Sequence, residues 1–167
     1  NLNALMGSIG VQRIYVRRFC RLLLLPNLRE NFSWVDADIS HFSMIIDLFQ
    51  GVDVVFHQAA SKCTVCMIDP YLDLNVNALG TYNVLECSRR QGVSKVVHAS
   101  TGSVYGEPNN FPTPENDNFP IQTSFYGASK IAGESFVQAY CEAFNFKSWI
   151  FRFVSILGNR YTHGHVY

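Results

Sequence analysis

The sequence predicts an α/β protein with a doubly wound parallel sheet, and three observations carry that prediction. From residue 52 onward, short continuous apolar runs alternate with longer stretches of helical period. Two of those runs, Asp53-Val-Val-Phe-His57 and Lys95-Val-Val-His-Ala99, are β-branched and apolar on both faces, as strands covered by helices should be. The resulting order of strand, helix, strand, long loop, helix and strand calls for right-handed crossovers.

Each element has its own local reason. Residues 11–25 set Arg13, Arg17, Arg18 and Arg21 among aliphatics and read as a basic amphipathic helix. Residues 32–36 read as a strand running into Ala37-Asp38-Ile39, and 44–49 as a short helix before Gly51. After the strand at 53–57, Ala59 and Ala60 permit close backbone approach. Residues 69–91 carry Leu72, Val76, Leu79, Val84 and Leu85 at helical spacing, with Gly92 as the stop signal. The stretch 106–120 contains four prolines and two glutamates and predicts a long irregular loop, of the kind that carries function in compact domains. Residues 124–144 predict a helix with Ser124 as N-cap and Ile131, Ser135, Phe136, Ala139, Tyr140 and Ala143 drawing one face. Residues 149–156 predict a third strand, ending near Gly158. No internal repeat or low-complexity tract interrupts the pattern.

Composition narrows the function classes. The 167 residues are 48% apolar and 14% aromatic, and 13 basic side chains balance 13 acidic ones. A net charge of zero gives no electrostatic footprint for nucleic acid or an anionic membrane, so an anionic ligand must be held by local geometry. The longest apolar run, Leu22 to Leu25, is far short of the roughly 20 residues a bilayer requires. Cys20, Cys63, Cys66, Cys87 and Cys141 are odd in number and scattered, which predicts reduced thiols in a cytoplasmic protein. Cys63-Thr-Val-Cys66 has no second ligand pair, and His57, His98, His163 and His165 show no metal-like spacing, so no metal site is expected.

The sharpest chemical feature is Tyr126-Gly-Ala-Ser-Lys130. Tyrosine and lysine at i and i+4 share a helix face, and a nearby ammonium favours phenolate, turning Tyr126 into a usable acid or base. Taken alone the pattern is weak, because chance supplies a Tyr-x-x-x-Lys roughly 0.2 times in a chain of this composition, and a surface helix pair would look the same. Its neighbours strengthen it. Upstream stands Ser100-Thr101-Gly102-Ser103-Val104-Tyr105-Gly106, a hydroxyl-rich turn directly after a predicted strand. In open parallel sheets ligands sit beyond the carboxyl ends of the strands, where this turn, Ala59-Ala60 and the end of the third strand would converge.

Together these segments resemble the extended short-chain dehydrogenase/reductase superfamily, in its nucleotide-sugar epimerase/dehydratase branch. The resemblance runs through Asp38-Ile39, Gly51-Val-Asp-Val-Val-Phe-His-Gln-Ala-Ala60, Asn75-Val-Asn-Ala-Leu-Gly-Thr-Tyr-Asn-Val-Leu85, the turn from Ser100 to Gly106, Tyr126 to Lys130, and Arg152-Phe-Val-Ser-Ile-Leu-Gly158, in the family's order and spacing. It implies a Rossmann-like fold, NAD as cofactor with NADP left open, and a nucleotide-sugar substrate. It also implies roles: Asp38 and Ile39 at the cofactor's adenine; Gln58, Ala59, Ala60, Ser61 and Lys62 under the adenosine and its phosphates; Asn77 supporting the active-site geometry; Val154 lining the cofactor. Thr101, Tyr126 and Lys130 fall on the catalytic positions, with Tyr126 and Lys130 also facing the cofactor. In the implied reaction Tyr126 takes a proton from a sugar hydroxyl as NAD accepts hydride, Thr101 hydrogen-bonds the forming carbonyl, and Lys130 holds the electrostatics. In an epimerase the keto-sugar then turns over and is reduced on its other face. The Leu72 and Ile131 helix faces are either core or, as in many relatives, halves of a four-helix homodimer interface.

The departures from the family pattern matter as much. The glycine fingerprint of the first βαβ turn is absent; Gly7-Ser-Ile-Gly10 has no preceding strand, and Asn1-Leu2 resembles the stretch just after the family's ribose-binding acid. Residues 1–167 therefore read as a partial, truncated Rossmann-like domain, lacking its N-terminal βαβ unit and the substrate domain, and alone should bind NAD poorly. Ser155 stands where many epimerases carry asparagine. Gly102-Ser103 stands where dehydratases carry acidic residues, which weighs against elimination. The sequence thus predicts an epimerase; a dehydratase, decarboxylase or reductase of the same superfamily, or a non-catalytic module, is the alternative.

Overall fold

Three parallel strands, β1 (Val55–His57), β2 (Lys95–Thr101) and β3 (Lys147–Phe153), form one sheet in the order β1-β2-β3. The computed structural model describes residues 35–61, 66–117 and 121–156. The helix expected at 11–25, the glycines at 7–10, residues 32–34 of the expected first strand, Lys62, Cys63, His163 and His165 lie outside the described residues. Val35 and Asp36, at the end of that expected strand, are not in strand conformation.

The sheet register sorts the strand residues onto two faces. Val55 pairs with Val96 and His57 with His98, while Val96, His98 and Ser100 pair with Ser148, Ile150 and Arg152. Because side chains alternate along a strand, these residues share one face. That face packs against the helices, with Val96 in a core cluster of Leu85, Val137, Tyr140 and Phe146, flanked by Val55 and Ile150. The other face of β3 is half open, with Trp149, Phe151 and Phe153 each exposed by more than 40%. The third strand starts and ends earlier than its apolar run, since Val154 and Ile156 lie beyond it and are exposed.

Helix α1 (Phe42–Ile45) continues as a 3₁₀ turn (Ile46–Phe49) and buries Ile45 and Phe49 against Val84, Cys87 and Val93. Between β1 and β2 the chain forms α2 (Pro70–Asp73), a π-helical segment (Leu74–Leu79) and α3 (Gly80–Arg90). Asp69 caps this rod by accepting from the Leu72 amide at 3.0 Å, and Pro70 stands where a missing N–H costs nothing. At its end Gly92 takes a left-handed φ of 76°. The single helical period read over 69–91 misses the π segment, whose wider turn breaks the 3.6-residue register. Leu72 and Leu79 of the expected helical stripe are exposed, while Asp73 and Asn77 are buried.

Helix α4 (Phe125–Phe144) begins at Ser124, whose Oγ accepts from the Gly127 amide at 2.9 Å, and ends at left-handed Asn145. Its buried stripe is Gly127, Ser129, Lys130, Gly133, Glu134, Val137 and Tyr140. Of the face the sequence draws, Tyr140 is buried, Ile131 and Phe136 are half-buried, and Ser135, Ala139 and Ala143 are exposed. The buried stripe carries charged and hydroxyl groups whose bonds are completed by Asp73, by the Ala99 carbonyl and by Ser100 and Arg152, which an apolar count does not register. The loop at 106–117 contains no helix or strand, as its prolines dictate. Cys66 and Cys87 are buried and Cys141 half-buried. Among the described residues, no helix is long and apolar enough to cross a membrane.

Candidate active site

The carboxyl end of β2 runs directly into a 3₁₀ turn (Gly102–Tyr105). Thr101 caps that turn, its Oγ1 accepting from the Ser103 amide at 3.2 Å and donating to Ser103 Oγ at 3.3 Å. The turn is pinned to the approach of α4, because Gln122 Nε2 donates to the Val104 carbonyl at 2.8 Å. Helix α4 then presses on it so closely that a Cβ at Gly127 would lie 2.9 Å from the Ser103 carbonyl oxygen. Only glycine fits there. Tyr126, half-buried, sits in this first turn of α4, and Lys130 follows one turn later at 3% exposure. The Lys130 ammonium donates to the Ala99 carbonyl of β2 at 2.7 Å. Val154, just past β3, lies over the same turn, with its Cγ2 3.0 Å from where a Cβ on Gly102 would stand. The structure thus gathers the segments bearing Thr101, Tyr126, Lys130 and Val154 at the carboxyl ends of β2 and β3.

The segment after β1 joins them through a polar network. Gln58 is exposed there, and Ala59, Ala60 and Ser61 are half-buried. The Ser61 amide donates to Asn77 Oδ1 at 2.8 Å, and Asn77 Nδ2 in turn reaches Ser129 Oγ of α4 at 3.1 Å. Asn77, fully buried, thereby ties this segment to the turn carrying Lys130. Asp38 and Ile39 lie against the start of α3. The Asp38 carboxylate accepts from the Ser40 amide and hydroxyl, each at 2.9 Å; the Ile39 carbonyl accepts from Asn83 at 2.9 Å, and its side chain packs on Gly80.

Burial sets the electrostatics. Desolvation pushes the Lys130 amine down to about 8, against the pull of Asp73 and Glu134. Sequence reading did not single out Asp73, Ser129, Glu134 or the roles of His57 and His98. Glu134 stands at i+4 from Lys130 and Asp73 at i−4 from Asn77, and that spacing is the only signal the chain offers for them. His57 donates to or accepts from Thr81 Oγ1 at 2.8 Å, and its ring centroid lies 5.1 Å from that of His98. Both imidazoles are buried, His98 without a partner for either ring nitrogen. Desolvation holds His98 down at about 3 and His57 well below its ordinary value.

A pH dependence follows with a definite sign. Both histidines are neutral in the fold and take up protons near pH 6.5 once unfolded, so the unfolded chain binds more protons below that value. Their contribution is complete above pH 6.5 and is lost as pH falls from there toward the folded values, by up to about 1.4 kcal/mol per histidine per pH unit. The thermal unfolding midpoint should fall between pH 7.5 and pH 5.5, and His98→Leu should flatten that fall. A midpoint constant across this range would show that the imidazoles are not neutral and buried together.

The profile of the NAD dependent epimerase/dehydratase family matches residues 10–167. The chain belongs to this family. It is 39% identical over 139 residues to the UDP-glucose 4-epimerase of Mycolicibacterium smegmatis, covering 80% of this chain and 43% of that protein. Its fold superimposes on a UDP-galactose 4-epimerase crystal structure with a TM-score of 0.80 at 30% identity, over 96% of this chain and 54% of the other. A Thermus thermophilus UDP-glucose 4-epimerase solved with NAD matches with a TM-score of 0.70 at 29% identity, over 90% of this chain and 50% of the other. This family member therefore spans about half the length of the relatives it matches, and its three-stranded parallel sheet is part of a Rossmann-like fold.

Proposed function

We propose that the full-length protein is an NAD-dependent nucleotide-sugar epimerase and that residues 1–167 are the partial cofactor-binding domain of it. The observation that carries this reading is the union of Thr101, Tyr126 and Lys130 around one strand end, in a chain 39% identical to a UDP-glucose 4-epimerase. The donor set suits NAD. Thr101 ends the strand whose Ala99 carbonyl holds the buried Lys130 ammonium, half-buried Tyr126 lies one helical turn before that lysine, and the small residues Ala59 and Ala60 follow exposed Gln58 after β1. In this reading Asp38 and Ile39 meet the adenine, Gln58 to Lys62 pass under the adenosine and phosphates, and Asn77 and Val154 complete the cofactor side. Bound there, NAD would supply a reversible hydride acceptor. Tyr126 as phenolate takes the hydroxyl proton of the sugar, which leaves the oxygen electron-rich and ready to become a carbonyl. Thr101 donates a hydrogen bond to that oxygen, and Lys130 stabilises the phenolate through its charge.

The odd number and scattered placement of the five cysteines support a cytoplasmic location. A homodimer through helix pairing is supported by the exposed Tyr71, Leu72, Leu74, Leu79 and Phe125 on the α2 to α4 surface. The test is product analysis. The full-length protein, supplied with NAD and offered UDP-, GDP-, CDP- and dTDP-hexoses in turn, should convert one of them into an epimer with no net reduction of cofactor. A keto-deoxy product would move the assignment to a dehydratase, and no conversion of any would overturn it.

A further inference from the structure

Asp73 is a buried carboxylate that the reaction outlined above does not use. It is 1% exposed and accepts from Asn77 Nδ2 at 2.9 Å, from Ser129 Oγ at 2.6 Å and from Ser61 Oγ. All three donors are neutral. The ion pairs among the described residues join Glu86 to Arg89 and Arg90, and Glu134 to Arg152. Asp73 takes part in none of them, although an ionised carboxylate this deeply buried needs a compensating charge. Ser129, which holds one of its oxygens, is followed in the chain by Lys130, whose ammonium is itself buried and, among the described residues, donates to the neutral Ala99 carbonyl.

Four titratable groups act electrostatically with that ammonium: Asp73 from α2, Glu134 from α4, His98 from β2 and His57 from β1. Glu134 is already neutralised by Arg152 Nη2 at 2.8 Å. The two histidines are uncharged through burial. Asp73 is therefore the buried carboxyl of the group that no ion pair among the described residues engages. In a low-dielectric interior two such charges act on each other well beyond contact.

We propose that Asp73 is a positioning residue, the counter-charge that keeps the Lys130 amine protonated beneath the pocket while its hydroxyl partners fix α4 against the segment after β1. Its catalytic consequence rests on the epimerase reading; its electrostatic core does not. The direction of the Lys130 shift agrees, since burial pushes the amine down to about 8 and Asp73 is the strongest influence opposing it.

The test follows Lys130 directly, by NMR titration of this chain labelled with [¹³Cε]lysine, the Lys130 resonance being identified by its loss in Lys130→Arg. Asp73→Asn should lower the titration midpoint by about one pH unit, roughly tenfold in the protonation equilibrium, and Asp73→Glu should retain it. Asp73→Ser serves as the neutral variant if the amide does not fold. A midpoint unmoved in a folded neutral variant overturns the proposal, and so does a wild-type Lys130 already neutral at pH 7, a measurement that needs no variant. In the full-length protein the basic limb of the kcat/KM profile should move down by the same amount. A shifted midpoint with no epimerase turnover in wild type would sink the function and leave the electrostatic pairing standing.

Discussion

Tyr126→Phe in the full-length protein is expected to lower turnover at least about 10²-fold, the lower bound for loss of a general acid/base. The substitution removes one oxygen. The α4 N-terminus is held by the Ser124 cap and by the fit of Gly127 against the Ser103 carbonyl, neither of which uses the phenol. A fall in kcat with the thermal midpoint and KM nearly constant would place the loss in the transition state. Unchanged turnover would remove Tyr126 from its proposed role. The same protein should keep Lys130 buried against the Ala99 carbonyl, so Lys130→Met offers a contrasting signature: loss of turnover together with weakened cofactor binding.

The parts of this site that were legible in the sequence are those whose signal is local. Tyr126 and Lys130 are one turn apart on a helix whose N-cap is visible in the chain, and the hydroxyl turn directly follows a β-branched run. Those short-range regularities survive folding, and so do the three strands and their order. What failed depends on partners distant in sequence. Asp73 is buried because Ser129, 56 positions away, donates to it, and no periodicity reports such a bond. The same network accompanies the π segment, which turned Leu72 and Leu79 outward and moved the apolar pattern off its helical register. Along α4, the face read from Ile131, Ser135, Phe136, Ala139, Tyr140 and Ala143 shares only Tyr140 with the buried stripe, which also takes in Lys130 and Glu134, since a polar group can enter a core when its bonds are completed there. At β3 the apolar run continued past the last ladder partner, so Val154 and Ile156 looked like strand and are exposed.

The largest expected loss of stability comes from Glu134→Ala. Glu134 is 1% exposed and receives two guanidinium nitrogens of Arg152, Nη2 at 2.8 Å and Nε at 3.1 Å, together with the Ser100 hydroxyl. Truncating it strands a guanidinium that is itself largely covered, and breaking a buried pair from one side costs about 3–5 kcal/mol. Arg152 keeps the Tyr105 hydroxyl and the Glu115 carbonyl, each at 2.9 Å, and its side chain is 21% exposed, so the lower end, about 3 kcal/mol, is the better expectation. Urea unfolding of this chain reads the change, and a loss under about 1 kcal/mol would contradict the burial argument. Removing both charges tests the cause. Glu134→Leu combined with Arg152→Met should recover part of the loss, because two apolar groups leave no orphaned charge, whereas a purely packing role for Glu134 would make the double variant worse than either single one. The double variant should nevertheless loosen the loop at 106–117, since Arg152 makes the shorter of two bonds to the Glu115 carbonyl, 2.9 Å against 3.4 Å from the Tyr105 hydroxyl, and stacks on the Tyr105 ring, and hydrogen exchange in that loop should rise even where global stability is restored.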